Sequence, residues 1–119
     1  MKLSEAEWKV LNILWNGESF SLKEITSALQ EINGWNKNTV LTYLTRMEKK
    51  GFVSIDRSHE KPYSAAVTKE YCAKNERNEL LDKVYGGATG DLIAAFLKES
   101  SISTEERNRL KKMLDDMEV

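Results

Sequence analysis

Between Lys37 and Lys50 the chain reads KNTVLTYLTRMEKK, which sets Thr39, Thr42, Tyr43 and Arg46 at positions i, i+3, i+4 and i+7. At about 100° per residue these four fall on one side of a helix, with Asn38 and Lys49 beside them. Hydroxyls, a phenol, an amide and a guanidinium on one face do not form an acid–base or nucleophilic set. They suit nucleic-acid edges: a guanidinium forks onto guanine, an amide pairs with adenine, and threonine meets a thymine methyl or a phosphate oxygen. Lys37 opens the segment, where a helix N-terminus attracts phosphate. No acid occurs between Lys37 and Met47. On the other side Val40, Leu44 and Met47, flanked by Leu41, form an apolar anchor. A solvated helix face has much the same composition, so the neighbouring elements must separate the two readings.

Other chemistry is sparse. His59 and Cys72 are the only histidine and cysteine, whereas a zinc or copper site takes three or four such ligands. The expectation is no metal and no cofactor. Gly86-Gly87 reads as a helix break, not a phosphate cradle. The carboxylates are scattered, with no histidine placed for general acid–base catalysis. An enzyme is therefore not expected. Cys72, at an early helix position, reads as a packing or surface residue, not a redox switch.

Two helices must carry the polar face. Ser4-Glu5-Ala6-Glu7 and Ser21-Leu22-Lys23-Glu24 both have capping-box spacing. The first opens a helix to Trp15, with Trp8, Leu11, Leu14 and Trp15 on its stripe. The second opens a helix closed by Asn33-Gly34, with Leu22, Ile25, Ala28, Leu29 and Ile32 at helical spacing. Asn36 caps the third helix, and Gly51 is its stop. Trp35 is expected to pack under the third helix's N-terminus. The period then changes: 52–56 and 63–67 read as two short strands around a polar turn, 57–62. Arg57, His59 and Lys61 at that turn would meet phosphates or a minor groove, although basic turns occur on any surface.

Helix, helix, helix and basic-tipped hairpin together predict a winged helix-turn-helix. The remainder reads as helical. Thr68 caps a helix to about Tyr85, Asp91–Lys98 forms a short one, and a third capping box at Ser103-Thr104-Glu105-Glu106 opens the last. Leu80, Leu81, Val84, Tyr85, Leu92, Ile93, Phe96, Leu97, Leu110, Met113, Leu114 and Met117 give these helices apolar stripes that need a surface. The fold expected is mainly α with a small β-hairpin: a winged-helix DNA-binding domain over 1–67 and a three-helix dimerisation arm over 68–119. Those twelve residues are the candidate dimer interface. Packing of the arm onto its own domain is the alternative; dimerisation is preferred because reading a palindrome needs two recognition helices on one face of DNA.

A net charge of −1 on 119 residues does not by itself point to nucleic acid. Its distribution does: residues 37–61 carry 6 Lys/Arg against 3 Asp/Glu. The apolar fraction of 40% and charged fraction of 31% are ordinary for a globular domain. No apolar run is long enough for a membrane span, and Glu5 and Glu7 interrupt any signal-peptide pattern. A cytoplasmic protein without a membrane partner is expected.

The segments Glu7–Trp15 and Trp35–Phe52, with Lys83-Val84-Tyr85-Gly86-Gly87 and the closing helix, resemble the penicillinase repressor family of transcriptional repressors. The resemblance covers essentially the whole chain. It implies a homodimer that represses from a palindromic double-stranded DNA operator beside resistance or metal-homeostasis genes. Thr39, Thr42 and Arg46 would then make base and phosphate contacts. Two departures stand out. The copper-responsive branch of the family carries paired Cys-x-Cys motifs near its C-terminus, which this sequence lacks. The β-lactam-responsive branch is cut at an Asn–Phe bond before Lys-Val-Tyr; the matching bond here is Glu79–Leu80. The inducing signal, including any sensor protease, therefore stays open. So do two other functions: a small-molecule-gated winged-helix regulator of the multidrug or aromatic-compound type, and a winged helix that binds only protein.

Overall fold

The computed structural model describes residues 2–118 and contains six helices and one hairpin in the order α1 (Glu5–Leu14), α2 (Leu22–Asn33), α3 (Lys37–Lys49), β1 (Val53–Ile55), β2 (Tyr63–Ala65), α4 (Lys69–Tyr85), α5 (Thr89–Glu99), α6 (Thr104–Asp116). Two compact units result, one up to Arg77 and one from Asn78. The first is mixed helix and hairpin and forms a winged helix; the second is helical.

Local chemistry explains where the first helices start and stop. Ser4 and Ser21 each accept the N–H of the glutamate three residues on, and Glu7 and Glu24 return the bond to the serine amides, closing both capping boxes. Asn36 Oδ1 accepts the Thr39 amide at 2.9 Å and starts α3. Gly34, at φ 72°, and Gly51, at φ 84°, hold the left-handed conformations that end α2 and follow α3.

The core of the first unit is one cluster built from the stripes of these helices. Val10, Leu11 and Leu14 of α1, Ile25 and Leu29 of α2, and Val40, Leu44 and Met47 of α3 are fully or almost fully buried, with Phe52, Val53 and Tyr63 closing the cluster on the hairpin side. Ile32 departs from the expected stripe. It is 59% exposed, in the last turn of α2.

The hairpin is antiparallel, with Val53 opposite Ala65 and Ile55 opposite Tyr63. Each strand is shorter than its apolar run suggested. A third segment joins them: Phe20 and Tyr63 exchange backbone hydrogen bonds at 2.8 and 3.0 Å, so the α1–α2 connection docks on the hairpin. Trp15 Nε1 donates to the Val67 carbonyl at 3.0 Å and fixes the strand's exit.

The division between the units falls within α4, ten residues beyond the sequence-based boundary at 67/68. Thr68 does cap this helix, its Oγ1 accepting the Tyr71 amide, and Cys72 in its first turn is a buried member of the first unit's core. Burial also pushes the Cys72 thiol above its usual pKa, so it is a packing group and not a reactive thiolate.

In the second unit Gly86 and Gly87 break the chain at positive φ. The helix after them starts at Thr89, two residues earlier than expected, without a side-chain cap. Ser103 supplies half of the expected capping box by accepting the Glu106 amide at 3.1 Å. No described residue of this unit is buried. Leu80, Val84, Ile93, Phe96, Leu97, Leu110, Met113, Leu114 and Met117 are exposed, while Leu81, Tyr85 and Leu92 are half-buried. Leu97, Ile102, Leu110 and Leu114 line a groove of about 220 Å³ between α5 and α6.

Candidate nucleic-acid interface

Burying Val40, Leu44 and Met47 fixes the rotation of α3, and that rotation decides what it offers to a ligand. Lys37, Asn38, Thr42, Arg46 and Lys49 are exposed, and Thr39 is half-exposed. Arg46 and Lys49 lie in the last turn, and the first turn has no acid. The Thr42 hydroxyl donates to the Asn38 carbonyl at 2.9 Å, which leaves its oxygen free to accept.

Tyr43 is placed differently from the other residues of that face. Its ring stacks on Trp35 at a centroid distance of 4.5 Å and an interplanar angle of 10°, and it packs against the core cluster. Tyr43 lies at the edge of the polar set, about 70° around the helix from the centre of the Val40, Leu44 and Met47 anchor. Trp35, lying just before α3, covers that flank. Thr45, outside the candidate set of the sequence, is also exposed. The helical wheel carried the signal, since Thr45 lies within about 60° of Thr42 on the far side from the anchor.

The hairpin cations are engaged by the protein itself. Arg57 Nη1 and Nη2 donate to Glu48 Oε2 and Oε1 at 3.1 and 3.2 Å, a two-pronged pair between hairpin and α3. The pairing holds the guanidinium protonated above even its usual pKa. Lys61 Nζ reaches the Glu24 carboxylate at 3.4 Å. His59 Nδ1 accepts the Lys61 amide at 3.0 Å, so the imidazole buttresses the turn. Asp56 closes the turn's other side, taking the Ser58 hydroxyl at 2.6 Å and its amide at 3.1 Å; these bonds lower its pKa. The result is a stiff, internally satisfied turn beside α3.

No group of three or more histidine, cysteine or acidic side chains is positioned for a metal among the described residues. No described helix is long and apolar enough to cross a membrane.

Three packed helices, an outward polar face on the third and a hairpin braced against it define a winged-helix regulator. A family model described as penicillinase repressor matches residues 3–116, and the chain belongs to that family of transcriptional repressors. Similar proteins include the methicillin resistance regulatory protein MecI of Staphylococcus aureus (strain N315), 29% identical over 116 residues, 96% of this chain and 94% of that one. The penicillinase repressor of Staphylococcus aureus is 29% identical over 118 residues, 98% of this chain and 94% of its own. That of Bacillus licheniformis is 25% identical over 120 residues, 97% of this chain and 91% of its own. These likenesses are to regulators, not to enzymes, and they do not favour the small-molecule-gated alternative.

Proposed function

We propose that this protein binds a palindromic DNA operator as a homodimer in the cytoplasm and represses the adjacent genes. The observation that carries the reading is the outward face of α3: Asn38, Thr42, Arg46 and Lys49 are exposed together, and the helix's one acid, Glu48, is neutralised by Arg57. Placed in a major groove, Arg46 would fork onto a guanine or hold a phosphate, and Asn38 and Thr42 would meet base edges. Thr39 and Lys37, near the helix N-terminus, would sit against the backbone.

Support for dimerisation comes from the second unit. Its apolar side chains are exposed along all of its helices, more than a lone subunit keeps in water. The occupant proposed for those faces is a second copy, because two-fold readout requires two copies of α3. The relatives' names suggest that the regulated genes concern antibiotic resistance.

The test is selection of bound fragments from the host genome, followed by titration of the recovered duplex with parent and Arg46→Ala proteins. A palindromic consensus and a loss of about 1–3 kcal/mol for the variant, with unchanged circular dichroism, are expected. Equal affinity would remove Arg46 from the interface, and a non-palindromic consensus would remove the two-fold reading.

A further inference from the structure

The cations on α2, α3 and the hairpin fall into two groups. Lys50, Arg57 and Lys61 each rest on a carboxylate, those of Glu7, Glu48 and Glu24. Lys23, Lys37, Arg46 and Lys49 pair with no carboxylate among the described residues.

The acids that the hairpin covers are informative. Glu48 is the only acid of α3, and Glu24 is the acid of the first turn of α2. Bare, each would bring a negative charge toward the phosphodiester chain on the helices meant to approach it. Arg57 cancels the first with two N–H donors, and Lys61 cancels the second. Both cations come from one turn, so the same contacts also set the hairpin's position against α2 and α3. A cation already spent on a carboxylate displaces no counterion when it nears DNA.

The unpaired charge concentrates elsewhere. Leu22, Lys23, Thr26, Ser27 and Lys37 line an open notch of about 450 Å³ between α2 and the start of α3. Leu22 gives the notch an apolar lining residue. The Thr26 hydroxyl donates its proton to the Leu22 carbonyl at 2.7 Å, and Ser27 has its hydroxyl uncommitted among the described residues. Two free ammonium groups and a hydroxyl donor around one opening suit a backbone phosphate.

We infer that Arg57 and Lys61 are positioning counter-charges for the two DNA-reading helices and not phosphate ligands, and that Lys23 and Lys37 of the notch seat the DNA backbone. This rests on the DNA-binding reading and deepens it.

The experiment uses the full chain and a labelled mixed-sequence duplex of roughly 30 base pairs, which reports phosphate contacts alone, titrated across roughly 50–200 mM salt. Lys23→Ala and Lys37→Ala should each flatten the slope of log affinity against log salt by about 1. Arg57→Ala should weaken binding roughly threefold or more at the lowest salt by baring Glu48, and adding Glu48→Gln to the same chain should restore affinity to within about twofold. The Lys61→Ala and Glu24→Gln pair should behave alike. A double variant as weak as Arg57→Ala alone would make Arg57 a phosphate ligand and overturn the counter-charge role. Unchanged slopes in both lysine variants would empty the notch. A parent protein with no salt-dependent binding would sink the DNA reading itself, a result distinct from any of these.

Discussion

Lys50, at the end of α3, donates from Nζ to Oε2 of Glu7 in the first turn of α1 at 3.0 Å. The two residues are 43 positions apart, and their contact locks the end of the recognition helix to the start of the chain's first helix. Glu7 is the one buried charged residue among those described, and its other oxygen closes the α1 capping box.

That pairing predicts an acid-sensitive fold. Burial alone would raise the Glu7 pKa, but the Ser4 amide and the Lys50 ammonium outweigh it and hold the carboxyl below its ordinary value. The unfolded chain therefore takes up the proton more readily. The stabilisation is fully present above the unfolded value, about 4.3, and is lost as pH falls through the folded value. Urea denaturation at pH 7 and near pH 3 should show a larger loss for the parent than for Glu7→Gln; the difference isolates Glu7 from Glu24 and Asp56, which are shifted the same way. Lys50→Met should cost about 1–3 kcal/mol at pH 7 by stranding a buried carboxylate. Equal pH dependence in parent and Glu7→Gln would refute the assignment.

The stack of Tyr43 on Trp35 predicts that Tyr43 supports α3 through its ring. Tyr43→Phe should leave both stability and operator affinity within about 0.5 kcal/mol of the parent. Tyr43→Ala should lose about 1–3 kcal/mol of stability, through lost apolar burial and stacking. A Tyr43→Phe protein that folds normally but binds the operator tenfold more weakly would return the hydroxyl to the DNA interface.

Removing everything after Arg77 should leave a folded, monomeric unit with weak and mostly non-specific DNA binding. The core cluster lies wholly before that point, Cys72 being its last member. Cutting at 67 instead should destabilise the unit, since Cys72 would be lost with α4. Sedimentation that finds the longer fragment still dimeric would move the interface out of the arm.

Glu79–Leu80 lies within α4. A protease needs extended backbone, so the helix must open locally before cutting. Leu80 is a branched aliphatic residue, and Glu79 places a negative charge before the bond. The intact protein, exposed to an activated sensor protease of the β-lactam-responsive branch, should yield no fragment ending at Glu79. A clean product at that mass would place the protein in a β-lactam-type circuit.

The order of helices and hairpin and the apolar anchor of α3 were legible in the sequence, because their causes are local. Serine and asparagine caps, left-handed glycines and the helical or strand period act over a few residues. Exposure of Asn38, Thr42 and Arg46 followed from the same rule: once Val40, Leu44 and Met47 are buried, the opposite side must face out. Contacts that depend on a distant partner were not legible. Glu7 with Lys50, Arg57 with Glu48, Lys61 with Glu24 and Phe20 with Tyr63 are set by how helices and hairpin pack, and no spacing rule brings them together. Tyr43 lies at the flank of its helix, where packing decides between solvent and core; Trp35 decided it. The sequence therefore determined which helix presents its polar face, while the tertiary structure decided which cations remain unpaired, because an ion pair depends on the distance between elements and not on the order of residues.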